Sequence, residues 1–145
     1  MEEGMFVIER MYNAPVSSVW RAITDKEQMK HWYFDLAEFK PEIGFEFQFY
    51  AGSDKKKYLH LCKITNVIEE KLLTYSWRYD EYAGNSSVTF ELFEEGNQTR
   101  LKLTHKGLES FATDNPDFAE QSFAEGWSYL IGKALKEFLE TAISA

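Results

Sequence analysis

Residues 72–106 read LLTYSWRYDEYAGNSSVTFELFEEGNQTRLKLTHK, and apolar side chains recur there at every second position. Leu73, Tyr75 and Trp77 alternate with Thr74, Ser76 and Arg78. Val88, Phe90 and Leu92 alternate with Thr89 and Glu91, and Leu101, Leu103 and His105 alternate with Arg100, Lys102 and Thr104. Successive side chains of a strand point to opposite faces, so each run predicts a strand with one dry and one wet face, as antiparallel sheets commonly have. Ala83-Gly84-Asn85 and Glu95-Gly96-Asn97 are turn signals between the runs. Strands joined by short turns make a meander.

The same period extends upstream. Phe45, Phe47 and Phe49 alternate with Glu46, Gln48 and Tyr50, and Tyr58–Val67 is a further strand whose apolar residues do not settle its inward parity. Gly52-Ser53-Asp54 and Glu69-Glu70 mark the intervening turns. Residues 5–12 (MFVIERMY) are β-prone with apolar residues on both parities, a strand without assigned faces. Between this strand and the meander the period is helical. Pro15 suits the first turn of a helix carrying Val16, Val19, Trp20 and Ile23 on one side. Thr24 and Glu27 form a capping box for a second short helix that buries Met29, Trp32 and Tyr33.

After Gly107 a looser stretch with Asn115-Pro116 leads to the last helix, read from Ser122 to Ala142 with Ser122 and Glu125 as a capping box. Phe123, Trp127, Leu130, Ile131, Ala134, Leu135 and Phe138 share one side, opposite Lys133, Lys136, Glu137 and Glu140. Such a helix runs about 30 Å, and an eight-residue strand about 26 Å, so one helix can cross a whole sheet face. The predicted architecture is α+β: a curved antiparallel sheet of six to seven strands around a long C-terminal helix. Two short helices follow strand 1, and a single domain spans residues 1–145.

A chain of 145 residues has the length of one domain and can bury a core without staples. Its net charge of −8 disfavours a nucleic-acid or anionic-membrane partner, which needs a basic face. The cationic run Lys55-Lys56-Lys57 sits beside Asp54 in a turn and reads as solvated charge. Cys62 is the sole cysteine, so neither a disulfide within the chain nor a multi-cysteine metal site is available. The acidic start Met1-Glu2-Glu3-Gly4 and the lack of an apolar run near ~18 residues predict neither signal peptide nor membrane span, and a cytoplasmic address.

Ala14-Pro15, Val19-Trp20-Arg21-Ala22-Ile23-Thr24-Asp25 and Trp32 resemble the opening motif of the activator of heat shock protein 90 ATPase-like family. Leu73-Thr74-Tyr75-Ser76-Trp77, the run Thr99–His105, and Gly126-Trp127 resemble its later strands and final helix, in order, from about residue 6 to 140. The resemblance implies the START-like superfamily and its helix-grip fold, whose members include lipid and hormone binders and polyketide cyclases and dehydratases. Eukaryotic co-chaperones of the family carry an additional N-terminal domain, for which 145 residues leave no room, so chaperone activation is not carried over. Where the family often has paired glycines before the third strand, Ile43-Gly44 keeps one.

The 17% aromatic content suits either a ligand-lined cavity or a solid core. Tyr75, Trp77 and Trp127 face the space between sheet and helix if parity and phase hold, where they would stack on a flat ligand or on each other. The resemblance implies the cavity, and with it the wider ligand-binding set Phe47, Tyr75, Trp77, Phe90, Leu103, His105, Trp127 and Ile131. Gly126 and Gly132 within the helix suit a cavity wall or a close backbone approach. His105 ends a strand on the apolar parity, positioned either to shuttle a proton or to cap the strand end, the latter being the ordinary role. His31 and His60 carry less signal, and three scattered histidines make no metal site. Glu2-Glu3, Glu69-Glu70 and Glu94-Glu95 read as solubilising charge, and no phosphate loop, nucleophile motif or cofactor signature is present.

The expected function is binding of a small apolar or aromatic molecule, as carrier or sensor, with no cofactor and no catalytic set. An enzyme of the cyclase or dehydratase type using the same cavity, and a protein-interaction module of the co-chaperone kind, are the alternatives. The sequence does not separate a monomer from a homodimer.

Overall fold

A computed structural model of the protein describes residues 5–34, 36, 38–52, 57–111, 118 and 120–144. Lys55, Lys56, Glu2-Glu3, Ser53-Asp54 and Asn115-Pro116 lie outside them. The elements are β1 (Met5–Tyr12), α1 (Val16–Thr24), α2 (Lys26–Trp32), β2 (Glu46–Gly52), β3 (Lys57–Ile68), β4 (Leu72–Tyr79), β5 (Ser86–Glu95) and β6 (Gln98–Lys106). A short 3-10 turn (Leu108–Ser110) precedes α3 (Glu120–Tyr129), a π-helical turn (Leu130–Ala134) and α4 (Leu135–Ser144), which run on without a break.

The sheet holds six strands, all antiparallel, in the order β1-β6-β5-β4-β3-β2. Strands β2 to β6 are the expected meander, and β1 closes against β6. The faces follow the alternation. Leu73, Tyr75, Trp77, Phe90, Leu101 and Leu103 are buried, while Arg78 is exposed and Thr74, Glu91 and Lys102 are half-buried on the outer face. β1 acquires its faces from the pairing with β6: Ile8 and Tyr12 turn inward, whereas Val7 and Met11 stay outside.

β3 explains why its parity was unreadable. Tyr58, His60, Cys62 and Ile64 point inward, but the register with β4 slips between Ile64 and Asn66, a bulge that hands the inward position to Val67. Leu59 and Leu61, on the opposite parity, are half-buried, so both parities look apolar.

Two helix starts differ from the expected caps. α2 is capped by Asp25, whose carboxylate accepts from the Glu27 N–H at 3.1 Å. Thr24 instead turns its hydroxyl back to the Trp20 carbonyl at 2.6 Å, closing α1. The C-terminal helix begins at Glu120, ahead of Ser122, and Phe118 just before it packs among Tyr58, Tyr79 and Phe111.

The helix crosses the inner face of the sheet. Trp127 meets Trp77 of β4, Phe90 of β5 and His105 of β6, and one turn later the Ile131 carbonyl accepts from the Tyr12 hydroxyl of β1 at 2.5 Å. That contact falls in the π-helical turn. Both Trp127 and Ile131 are buried. α1 and α2 cover the far end, with the Trp32 indole donating to the Ala22 carbonyl at 2.8 Å and the Thr99 hydroxyl of β6 donating to the Ala14 carbonyl at 2.8 Å.

Candidate functional site

Between the first half of the C-terminal helix and the β2–β3–β4 side of the sheet lies a cavity of about 530 Å³. Phe34, Tyr58, His60, Trp77, Tyr79, Phe118, Phe123 and Trp127 supply its rings, and Ala51, Ser122, Glu125, Gly126 and Leu130 complete the lining. The rings brace one another. His60 stacks on Phe49 at 4.6 Å and meets Trp77 and Tyr79 edge-on at 4.9 and 4.7 Å, while Tyr79 stacks on Phe118 at 4.5 Å. Stacked and edge-on contacts at these distances are favourable arrangements of aromatic rings.

Of the residues expected to line a cavity, Trp77 and Trp127 do so. Phe47, Tyr75, Phe90, Leu103, His105 and Ile131 are all buried in the same core but are not among the lining residues of this cavity. Tyr75 pairs with the Tyr33 hydroxyl at 2.7 Å, and burial pushes both phenols well above their ordinary range. The two helix glycines separate by role. Gly126 lines the cavity with open space where a Cβ would stand, and Gly132 lets the Arg10 guanidinium approach, its Nε 3.4 Å from such a Cβ.

His105 is fully buried and engaged at both nitrogens. The Trp127 indole N–H donates to Nδ1 at 3.0 Å, and Nε2 lies 2.8 Å from Ser86 Oγ, whose hydroxyl donates to the Trp77 carbonyl at 2.8 Å. An indole N–H can only donate, so Nδ1 is the acceptor and Nε2 carries the proton. Every donor in this chain then has one acceptor. Burial, and secondarily the proximity of His60, lowers the His105 pKa to about 3. His105 therefore ties helix to sheet through a saturated neutral chain, the structural one of its two readings.

His60 is oriented the other way. Its Nδ1 lies 2.9 Å from the Tyr58 carbonyl, so Nδ1 carries the proton. Burial lowers its pKa to about 4, partly offset by the Tyr58 and Phe49 carbonyls. Long-range proton–nitrogen NMR at neutral pH is expected to show His105 as the Nε2–H tautomer and His60 as the Nδ1–H tautomer. Finding both rings in the same tautomer would break this assignment.

The sequence model of the family described as activator of Hsp90 ATPase homolog 1-like protein matches residues 13–140. The chain belongs to that family. Solved structures share its fold. Mll3558 from Rhizobium loti superposes with a TM-score of 0.80 at 22% identity, over 93% of this chain and 96% of that one. BH1534 from Bacillus halodurans gives 0.72 at 26% identity, over 93% and 96%. CalU16 from Micromonospora echinospora gives 0.68 at 26% identity, over 92% of this chain and 73% of that one. No curated protein matches the sequence. As a member of that family the chain has the START-like helix-grip arrangement, a curved antiparallel sheet with a long C-terminal helix across it.

What the sequence did not single out in this member of the family is Phe34 after α2, Tyr58 and His60 of β3, and Tyr79 at the end of β4. The available signal was the shared parity of Tyr58, His60 and Cys62, masked by Leu59 and Leu61. Cys62 itself is buried and its thiol pKa is raised by burial, which makes it an inert packing residue. Among the described residues no group of three His, Cys, Asp or Glu side chains converges on a metal position, and no helix is long and apolar enough to cross a membrane.

Proposed function

We propose that the protein binds a small apolar or aromatic molecule in the cavity between the sheet and the first half of the C-terminal helix, as a carrier or sensor. The observation that carries this reading is the cavity's combination of size and wall. A volume of about 530 Å³ falls in the range of small-molecule sites, and the lining is dominated by aromatic rings packed against one another. Affinity then comes chiefly from apolar burial at roughly 25 cal/mol per Å², and depends weakly on salt. His105 is spent on structure, which favours binding over proton transfer at that residue.

Titration with a panel of hydrophobic fluorophores, sterols, fatty acids and flavonoids tests the reading, because Trp77 and Trp127 line the cavity and their emission reports occupancy. The companion variant is Gly126→Leu. A side chain there enters open space, so the fold is expected to keep its stability or gain up to about 1 kcal/mol from helix propensity. Ligand affinity is expected to fall at least about tenfold as the leucine occludes the cavity. A panel with no member bound below millimolar, or a plugged variant that binds as well as the parent, would defeat the proposal.

A further inference from the structure

The His60 side chain is 5% exposed and lines the cavity, and its Nδ1–H is committed to the Tyr58 carbonyl. The neutral ring therefore keeps a lone pair on Nε2. Among the described residues the one hydrogen bond of the His60 ring that meets distance and angle limits is at Nδ1, which leaves Nε2 without one, whereas both nitrogens of His105 are paired. Yet among the described residues no fully enclosed side-chain nitrogen or oxygen lacks a partner. Nε2 must therefore reach open space, and the open space beside this ring is the cavity. Its direction is held by the stack on Phe49 and the edges of Trp77 and Tyr79.

The rest of the lining narrows the choice further. Among the described residues no lysine or arginine lines the cavity, and Glu125 is the one formal charge there. An anionic ligand would be desolvated with no counter-charge to receive it. An aromatic ligand without a donor would strip water from Nε2 and leave a buried acceptor unpaired, the kind of mismatch against which polar sites discriminate strongly.

We infer that the cavity takes a neutral, planar aromatic molecule bearing a hydroxyl donor, a phenol in the simplest case, with that hydroxyl placed on Nε2 of His60. This rests on the binding reading above and names the ligand class within it. Rings supply the affinity, and His60 supplies the selection.

The test compares 2-naphthol with 2-methoxynaphthalene, the same ring system with the donor removed, by equilibrium dialysis against the parent protein and His60→Phe. The parent is expected to bind 2-naphthol about tenfold more tightly than the ether. His60→Phe is expected to bind the two within about twofold of each other. On the parent itself, the Nε2 nitrogen resonance of His60 is expected to shift toward a hydrogen-bonded position with 2-naphthol and to stay in place with the ether, a readout that does not depend on the variant folding. Equal affinity of the parent for both compounds, an unmoved Nε2 resonance with bound 2-naphthol, or an undiminished preference in folded His60→Phe overturns the phenol inference while leaving apolar binding intact. Failure of both compounds to bind at millimolar concentration removes the binding reading and this inference with it.

Discussion

Trp127→Ala is expected to lower the unfolding free energy by about 3–5 kcal/mol, the range for deleting a large buried aromatic ring. The ring is 3% exposed and packs against Tyr33, Trp77, Phe90 and His105, so its removal empties the centre of the helix–sheet interface. It also strips the donor from His105 Nδ1, and an unpaired buried acceptor adds about 1–3 kcal/mol. Domains commonly have about 5–15 kcal/mol in total, so this variant should sit near its unfolding threshold at room temperature. Trp127→Phe isolates the second contribution, since it keeps a ring and loses the N–H. Its expected cost is about 1–3 kcal/mol, plus a smaller packing loss. Urea unfolding of the three proteins checks both figures. A loss below about 1 kcal/mol for the alanine variant would show that the indole lines empty space and holds nothing together.

The second large effect is on stability against acid. His60 and His105 are neutral in the folded state, with pKa values lowered from 6.5 to about 4 and about 3, principally by burial. An unfolded histidine takes up its proton near 6.5, while the folded ones do not until much lower pH. The unfolded state thus binds more protons throughout that interval, and stability rises with pH there. The histidine contribution is fully present above pH 6.5 and is lost progressively as pH falls toward about 4 for His60 and about 3 for His105. Each ring contributes a slope of about 1.4 kcal/mol per pH unit in the middle of its window. Glu27 and Glu140, held low by hydrogen bonds from Lys30 and Lys136, act below the ordinary carboxylate value of 4.5, so the interval above it isolates the histidines. Unfolding free energies measured at several pH values between 4.5 and 6.5 should therefore fall steeply, and His60→Phe should remove about half of that slope. A flat profile across this interval would mean that one or both rings titrate normally. Protonation of His105 also has a defined casualty: with both nitrogens donating, the Trp127 N–H loses its acceptor.

The cap of α2 and the faces of β3 show where local reading stops. Thr24 and Asp25 are adjacent, and both residue types cap helices; which one did so was decided by the Trp20 carbonyl within reach of the Thr24 hydroxyl. In β3 the apolar Leu59 and Leu61 compete with Tyr58, His60 and Cys62, and only pairing with β2 and β4 turns the second set inward. The π-helical turn is farther beyond sequence reach, since it coincides with a hydrogen bond between Tyr12 and Ile131, which lie 119 residues apart. The site divides in the same way. Trp77 and Trp127 were legible because alternation in β4 and helical phase in α3 independently aim them at one space. His60 was not, because its value lies in which nitrogen the Tyr58 carbonyl claims.

The sequence by itself determined the kinds of element, their order, the inward faces of β4, β5 and β6, and the buried side of the final helix, since each is written in a local period of two or 3.6 residues. Tertiary structure alone decided where the aromatic rings interlock and where they leave a cavity. Empty volume is what remains after side chains from β2, β3, β4, Phe34 and the last helix have met, and that remainder depends on bulges, registers and ring orientations hundreds of atoms apart. The same holds for chemistry: a histidine's residue type is local, but its tautomer, its charge and the direction of its lone pair are set by whichever carbonyl or indole the fold brings against it.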